Sequence, residues 1–146
     1  MTEMLEKGSP LPFELLGAAV FYAAPTPAPP GRICGSVGPT TSLRMDPFTM
    51  PLINAGVRIF IGKGPRGAGT SRALAESGSV YLAAAGGTAA LGGRCVERCG
   101  ILAWEDLGAE AVYSMALRDY PVFVAQDVRG GNIYGRGNPV ESHGSC

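Results

Sequence analysis

Val57-Arg-Ile-Phe-Ile61 leads into Gly62-Lys-Gly-Pro-Arg-Gly-Ala-Gly69, then Thr70 to Ser77, then Val80-Tyr-Leu-Ala-Ala-Ala85. The first and last of these are short apolar runs with the length and residue types of buried strands. The middle is a glycine-rich loop and a stretch of helical type, with a hydroxyl N-cap candidate at Thr70 and Gly78 as its stop. Gly86-Gly87 and a second helical stretch, from Thr88 to about Cys99, come next. This order predicts consecutive βαβ units around a parallel sheet, with glycines where strands hand over to helices.

Upstream, Gly17 to Ala24 reads as another buried strand. Pro25-Thr-Pro-Ala-Pro-Pro-Gly31 reads as a stiff surface connection, since its four prolines remove four ladder donors. Arg32 to Val37 is a short strand candidate, punctuated by Gly38-Pro39. A helix can start at the following hydroxyl cluster: Met45, Phe48, Leu52 and Ile53 recur at helical spacing as far as Gly56, with Pro47 and Pro51 making it short or bent. Met1 to Gly8 reads as a short helix stopped by Gly8. Downstream, Val112 to Leu117 and Val122 to Gln126 read as strands flanking Asp119-Tyr-Pro121, and Arg129-Gly-Gly-Asn132 as a turn. Residues 135–146 are polar and read as a frayed tail. No internal repeat is visible.

The 146 residues make one domain, spanning 1–146. Hydrophobic residues at 46% and charged residues at 16% exclude intrinsic disorder. Twelve Lys plus Arg balance twelve Asp plus Glu, so nothing global attracts nucleic acid or an anionic membrane, and any anion site must be local. No run has the length of a membrane span, and Met1 to Gly8 lacks the features of a signal peptide, which makes the cytoplasm the default compartment. Cys34, Cys95, Cys99 and Cys146 then read as reduced thiols. Cys95-x-x-x-Cys99 would share one face of a helix, and without a second pair at ligand spacing no metal site is assigned. His143 is the only histidine and lies in the tail, against a histidine-based hydrolase.

Two segments carry chemistry. In Gly38-Pro-Thr-Thr-Ser-Leu-Arg-Met-Asp46, three hydroxyl residues stand at a helix start with Arg44 close behind, a cradle for a carboxylate or phosphate. An ordinary helix cap, with Thr41 or Ser42 capping and Arg44 in solvent, is the alternative. In Ile61-Gly-Lys-Gly64, glycines on both sides of Lys63 leave its ammonium free to point into a cleft. A surface lysine in a turn is the plainer reading. The second segment is not a Walker A loop, because Gly64 follows Lys63 where Ser or Thr is needed. Both loops would converge at the carboxyl edge of a sheet, which favours a small carboxylate ligand.

Leu11-Pro-Phe-Glu-Leu-Leu-Gly17, Tyr22 to Gly31, Gly35-Ser-Val-Gly-Pro-Thr-Thr-Ser42, Arg44-Met-Asp46 and Ile61-Gly-Lys-Gly64 together carry a family likeness. So do Tyr81-Leu-Ala, Gly86-Gly87, Leu107-Gly-Ala-Glu-Ala111 and Tyr120-Pro-Val-Phe123. In these stretches the chain resembles the C-terminal, or β-subunit, domain of iron–sulfur-dependent class I fumarate hydratases and L(+)-tartrate dehydratases. The resemblance implies an α/β fold of the swivelling β/β/α type, with a mixed sheet and short helices. It implies reversible hydration and dehydration of a small dicarboxylate, fumarate/malate or tartrate/oxaloacetate, by a hydro-lyase subunit not active alone. It places Thr40 near the reacting carbon, makes Arg44 a carboxylate clamp and Lys63 a second cationic contact, and puts Thr41 and Ser42 on the substrate. A 4Fe–4S cluster would be held by a cluster-bearing α subunit and not by this chain, so none of its cysteines is assigned as a ligand. A homodimer of the isolated domain is a further expectation. The family's arm with an Ala-Arg-Asp-x-Ala-His motif has no counterpart here, and Met1 to Lys7 corresponds to the element after it. The alternative is a non-enzymatic carboxylate-binding or interaction module derived from the same fold.

Overall fold

The apolar run Gly17 to Ala24 divides at Tyr22 in the computed structural model, which describes residues 1–136. Ala19–Phe21 (β1) joins one sheet and Ala23–Pro25 (β2) another. Tyr22 is the branch point. Its amide donates to the Ile61 carbonyl oxygen at 2.8 Å, and its own carbonyl accepts from the Thr40 amide at 2.7 Å. The ring is buried, so one residue ties both layers to the core.

β2 pairs antiparallel with Val37–Pro39 (β3). The strand read at Arg32 to Val37 therefore begins only at its last residue, and Gly38-Pro39 belongs to the strand it was taken to end. Local bonds explain the shift. Thr26 accepts from the Gly35 amide through its carbonyl and from the Ser36 amide through Oγ1, which folds residues 35 and 36 back onto the proline connection. Pro39 is tolerated because this sheet has only two strands.

After β3 the chain forms a 3-10 segment, Ser42–Phe48, and a short helix, Thr49–Asn54, which here follows an N-terminal helix at Thr2–Glu6 (α1 and α2 in chain order). The split matches the two prolines: Pro47 sits inside the 3-10 segment and Pro51 in the first turn of α2, where a missing amide costs little.

Ile59–Gly62 (β4), Ala68–Glu76 (α3) and Val80–Ala84 (β5) form one βαβ unit, β4 and β5 pairing in parallel from Ile59↔Val80 to Gly62↔Ala83. β1 lies parallel on the other side of β4. The cap of α3 is Gly67 and not a hydroxyl residue, and Gly78 ends the helix at φ +66°.

The second unit departs from the βαβ reading. The helix that follows, Ala89–Arg94 (α4), stops at Arg94, and Val96–Ala103 (β6) pairs antiparallel with Val112–Leu117 (β7) in a separate hairpin. Cys95 thus caps α4 while Cys99 lies within β6, so the two do not share a helix face. α4 lies directly on β3: a Cβ at Gly92 would stand 2.1 Å from the Val37 carbonyl oxygen, so only glycine fits this approach. The last strand, Val122–Gln126 (β8), returns antiparallel to β5, giving a mixed sheet in the order β1-β4-β5-β8.

The core sits between this sheet and the helices α2 and α3. Leu52, Val57, Phe60, Leu74 and Tyr81 are each at most 2% exposed, and burial of a side chain of this size is worth about 1.5–3 kcal/mol. At the far end, Asp127 Oδ1 accepts from the amides of Arg129 and Gly131 at 2.8 Å, which makes it a turn residue. No described helix is long and apolar enough to cross a membrane. Of the segment read as a frayed tail, residues 137–146, including His143 and Cys146, lie outside the described residues.

Candidate functional site

The parallel strands β1, β4 and β5 point their carboxyl ends the same way, and the chain leaves them at Tyr22, Lys63 and Ala85. Ligands in open α/β sheets bind at this edge. The segment after β3 is stitched into it. Thr41 bridges Lys63 in parallel register, the Lys63 amide donates to the Thr40 carbonyl oxygen at 3.0 Å, and the Ser42 amide donates to the Lys63 carbonyl oxygen at 2.9 Å. Residues 40–42 thereby extend the sheet beyond β4 and hold the hydroxyl cluster next to Lys63.

Thr40 and Arg44 meet directly, Arg44 Nη2 donating to Thr40 Oγ1 at 2.6 Å. Arg44 is exposed, Thr40, Thr41 and Lys63 half-buried. Neither Arg44 nor Lys63 has an ion-pair partner among the described residues. Lys63 runs beside the loop after β5, where a Cβ at Gly86 would lie 3.6 Å from Lys63 Cδ and 4.0 Å from Nζ. The edge thus presents a hydroxyl already bonded to a guanidinium, and a lysine whose backbone is bonded to that of Thr40.

Ser42 stands apart from these residues. It is fully buried, and its Oγ lies 2.9 Å from the Tyr81 hydroxyl, which is also 2.7 Å from the Gly64 carbonyl oxygen. The phenol is the donor in both contacts, and its single proton goes to one acceptor at a time. Burial pushes the Tyr81 phenol above its ordinary range, against the opposing effect of the Ser42 hydrogen bond. Gly62 admits this arrangement, since a Cβ there would lie 2.0 Å from Ser42 Oγ.

Beneath the edge is a feature the sequence reading did not single out. Arg66, its side chain 1% exposed, donates from Nε to Asp46 Oδ1 at 2.6 Å and from Nη2 to Thr49 Oγ1 at 2.5 Å. Its Cζ lies 5.4 Å from the ring centres of both Tyr22 and Tyr81, a cation between two aromatic faces. The Gly67 amide donates to the other Asp46 oxygen at 2.7 Å. Asp46 stood at the end of the Gly38–Asp46 run and Arg66 between Pro65 and Gly67, 20 residues apart, with nothing in either segment to join them.

Among the described residues no three His, Cys, Asp or Glu side chains come together to hold a metal. Burial pushes the Cys34 and Cys99 thiols up. Without such a group the described residues do not by themselves make an iron–sulfur site. A cavity of about 440 Å³ between β1 and the β6–β7 hairpin is lined by Phe13, Phe21, Tyr113 and Met115, and Thr40, Arg44 and Lys63 do not line it. The candidate site is an open edge.

Fold and edge together define a mixed α/β domain that presents a Thr–Arg pair and a lysine, without ion-pair partners among the described residues, where its parallel strands end. The chain belongs to the Fumarase C-terminus family, whose model matches residues 1–137. It is 37% identical over 136 residues to fumarate hydratase 1, mitochondrial, of Leishmania major, covering 92% of this chain and 25% of that protein. It is 32% identical over 136 residues to the anaerobic class I fumarate hydratase of Escherichia coli K12, covering 92% and 25%. It is 31% identical over 135 residues to the L(+)-tartrate dehydratase subunit beta of the same organism, covering 89% and 67%. The chain therefore spans about a quarter of the length of the fumarate hydratases it matches.

Proposed function

We propose that this chain is the β-subunit component of a hydro-lyase that adds water to, or removes it from, a small dicarboxylate of the fumarate/malate or tartrate/oxaloacetate type. The observation that carries the reading is the Thr40–Arg44 hydrogen bond beside Lys63, in a chain whose relatives bear the names of two kinds of hydro-lyase.

Removal of a proton next to a carboxylate drives negative charge onto that carboxylate. A guanidinium and an ammonium already in place favour that charge without reorganisation. A threonine hydroxyl alone is a weak base. Here Thr40 Oγ1 accepts a charge-assisted bond from Arg44, which lowers the cost of forming the alkoxide. In the hydration direction the Thr40 hydroxyl gives its proton to carbon and Arg44 holds the alkoxide left behind. In the dehydration direction the alkoxide takes that proton back. Thr41, bridged to Lys63, lines the same edge.

Departure of hydroxide needs a Lewis acid. The described residues do not form a site for one, so this reading gives a 4Fe–4S cluster to an α subunit that docks over the open edge, and leaves the isolated chain inactive. The test is anaerobic co-expression of the chain with its cognate cluster-bearing subunit, followed by co-purification and iron analysis. A brown complex that contains both subunits and dehydrates malate or tartrate supports the proposal. A chain that purifies alone, and in which added partner produces no turnover, contradicts it.

A further inference from the structure

Arg44 and Lys63 sit on different segments, and one ion pair joins the two. Asp46 follows Arg44 by two residues on the 3-10 segment; Arg66 follows Lys63 by three on the loop after β4. Arg66 binds the 3-10 segment and the start of α2 through Asp46 and Thr49, while Asp46 binds back to the loop through the Gly67 amide. Thr49 Oγ1 in turn donates to the Met45 carbonyl oxygen at 2.9 Å, between Arg44 and Asp46. The loop is held from its other side by Tyr81 on Gly64, and Tyr81 is also one of the two rings around Arg66. Among the described residues Arg66 Nη1 has no hydrogen-bond partner, and two hydrogen bonds and two ring faces hold the guanidinium.

A stability role alone would be served by an apolar pair of the same volume, commonly at no loss. What an ion pair adds is a defined geometry between its two ends. Resting on the hydro-lyase reading above, we propose that Asp46 and Arg66 are positioning residues that set the distance between the Arg44 guanidinium and the Lys63 ammonium. They thereby select dicarboxylates by the spacing of their carboxylates. Neither residue touches substrate in this account. Asp46 and Arg66 act through Arg44 and Lys63.

The experiment measures inhibition of the assembled enzyme by malonate, succinate and glutarate, which differ only in the separation of their carboxylates, for wild type, Arg66→Lys and Asp46→Asn. Arg66→Lys keeps the charge but loses the fork; Asp46→Asn keeps the shape and serves if the lysine variant does not fold. The expected result is a change in the ratios of the three inhibition constants on the order of 10- to 100-fold, the size of effect that a misplacement of about 1 Å produces. Ratios that stay at their wild-type values while melting temperature falls would overturn the proposal and leave the pair a stabilising contact. A wild-type complex with no turnover overturns the hydro-lyase reading, and the spacing role with it. Wild-type turnover with unchanged ratios in both variants overturns the spacing role alone.

Discussion

The amide of Lys63 donates to the carbonyl oxygen of Thr40 at 3.0 Å, and that bond joins the two loops of the candidate site backbone to backbone. The Thr40 hydroxyl, bonded to Arg44, therefore keeps a fixed relation to the segment that carries the ammonium. Several consequences of this architecture can be measured.

Arg44 is exposed, and its bond is to the Thr40 side chain, so its loss should harm chemistry and spare the fold. Arg44→Ala in the assembled complex should lower kcat by about 10²–10³, the effect of removing one preorganised donor, with the melting temperature near that of wild type. Steady-state kinetics beside a thermal melt checks both halves. Wild-type turnover in this variant removes Arg44 from the site.

Arg66→Met should behave oppositely, since it strands Asp46 in a half-buried position. We expect a loss of about 3–5 kcal/mol, read from the urea midpoint, and partial recovery in the double variant with Asp46→Leu. No recovery in the double variant would mean that the ring faces and Thr49, more than the ion pair, account for the cost.

Gly92→Ala drives a Cβ against the Val37 carbonyl oxygen where α4 lies on β3, and should cost about 1–3 kcal/mol. Gly100→Ala, on the exposed hairpin with nothing within 4 Å of its new carbon, should change stability by less than about 0.5 kcal/mol. Equal effects from the two substitutions would contradict the close packing of α4 on β3.

The Tyr81 phenol is raised in the fold by burial. An unfolded tyrosine ionises near about pH 10, so above that pH the unfolded chain releases a proton that the folded chain still holds. Stability supplied by the neutral phenol is complete below about pH 10 and is lost as pH rises through the folded value. Tyr81→Phe should lower stability by about 0.5–1.5 kcal/mol at neutral pH and flatten its decline above pH 10. Urea titrations of both proteins over that range decide the matter, and parallel curves would rule out Tyr81 as the group concerned.

Strands β4 and β5 and the loop between them were legible because each is a local run with its own punctuation, and so was the convergence of Thr40, Arg44 and Lys63 on one edge. The errors share one physical origin. Val96 to Cys99 lay in a stretch read as helix and became strand because β7, which pairs with it, comes later in the chain. Arg32 to Val37 looked extended, but Thr26 captured the amides of Gly35 and Ser36. The contact of the Ser42 hydroxyl with a tyrosine 39 residues downstream was likewise not legible from its local run. The Asp46–Arg66 pair was invisible for the same reason: neither residue announces a partner 20 positions away.

On the proposed function, Lys63 and the Thr40–Arg44 pair form the carboxylate-binding half of a hydro-lyase site. The most direct test is the rate of malate and tartrate dehydration by the anaerobically purified two-subunit complex, wild type against Lys63→Met. The account predicts measurable turnover of at least one of these hydroxy-diacids in the wild type, and a drop of about 10²-fold or more in kcat/KM in the variant. Turnover that is unchanged in Lys63→Met, or absent from an iron-replete wild-type complex, would contradict it.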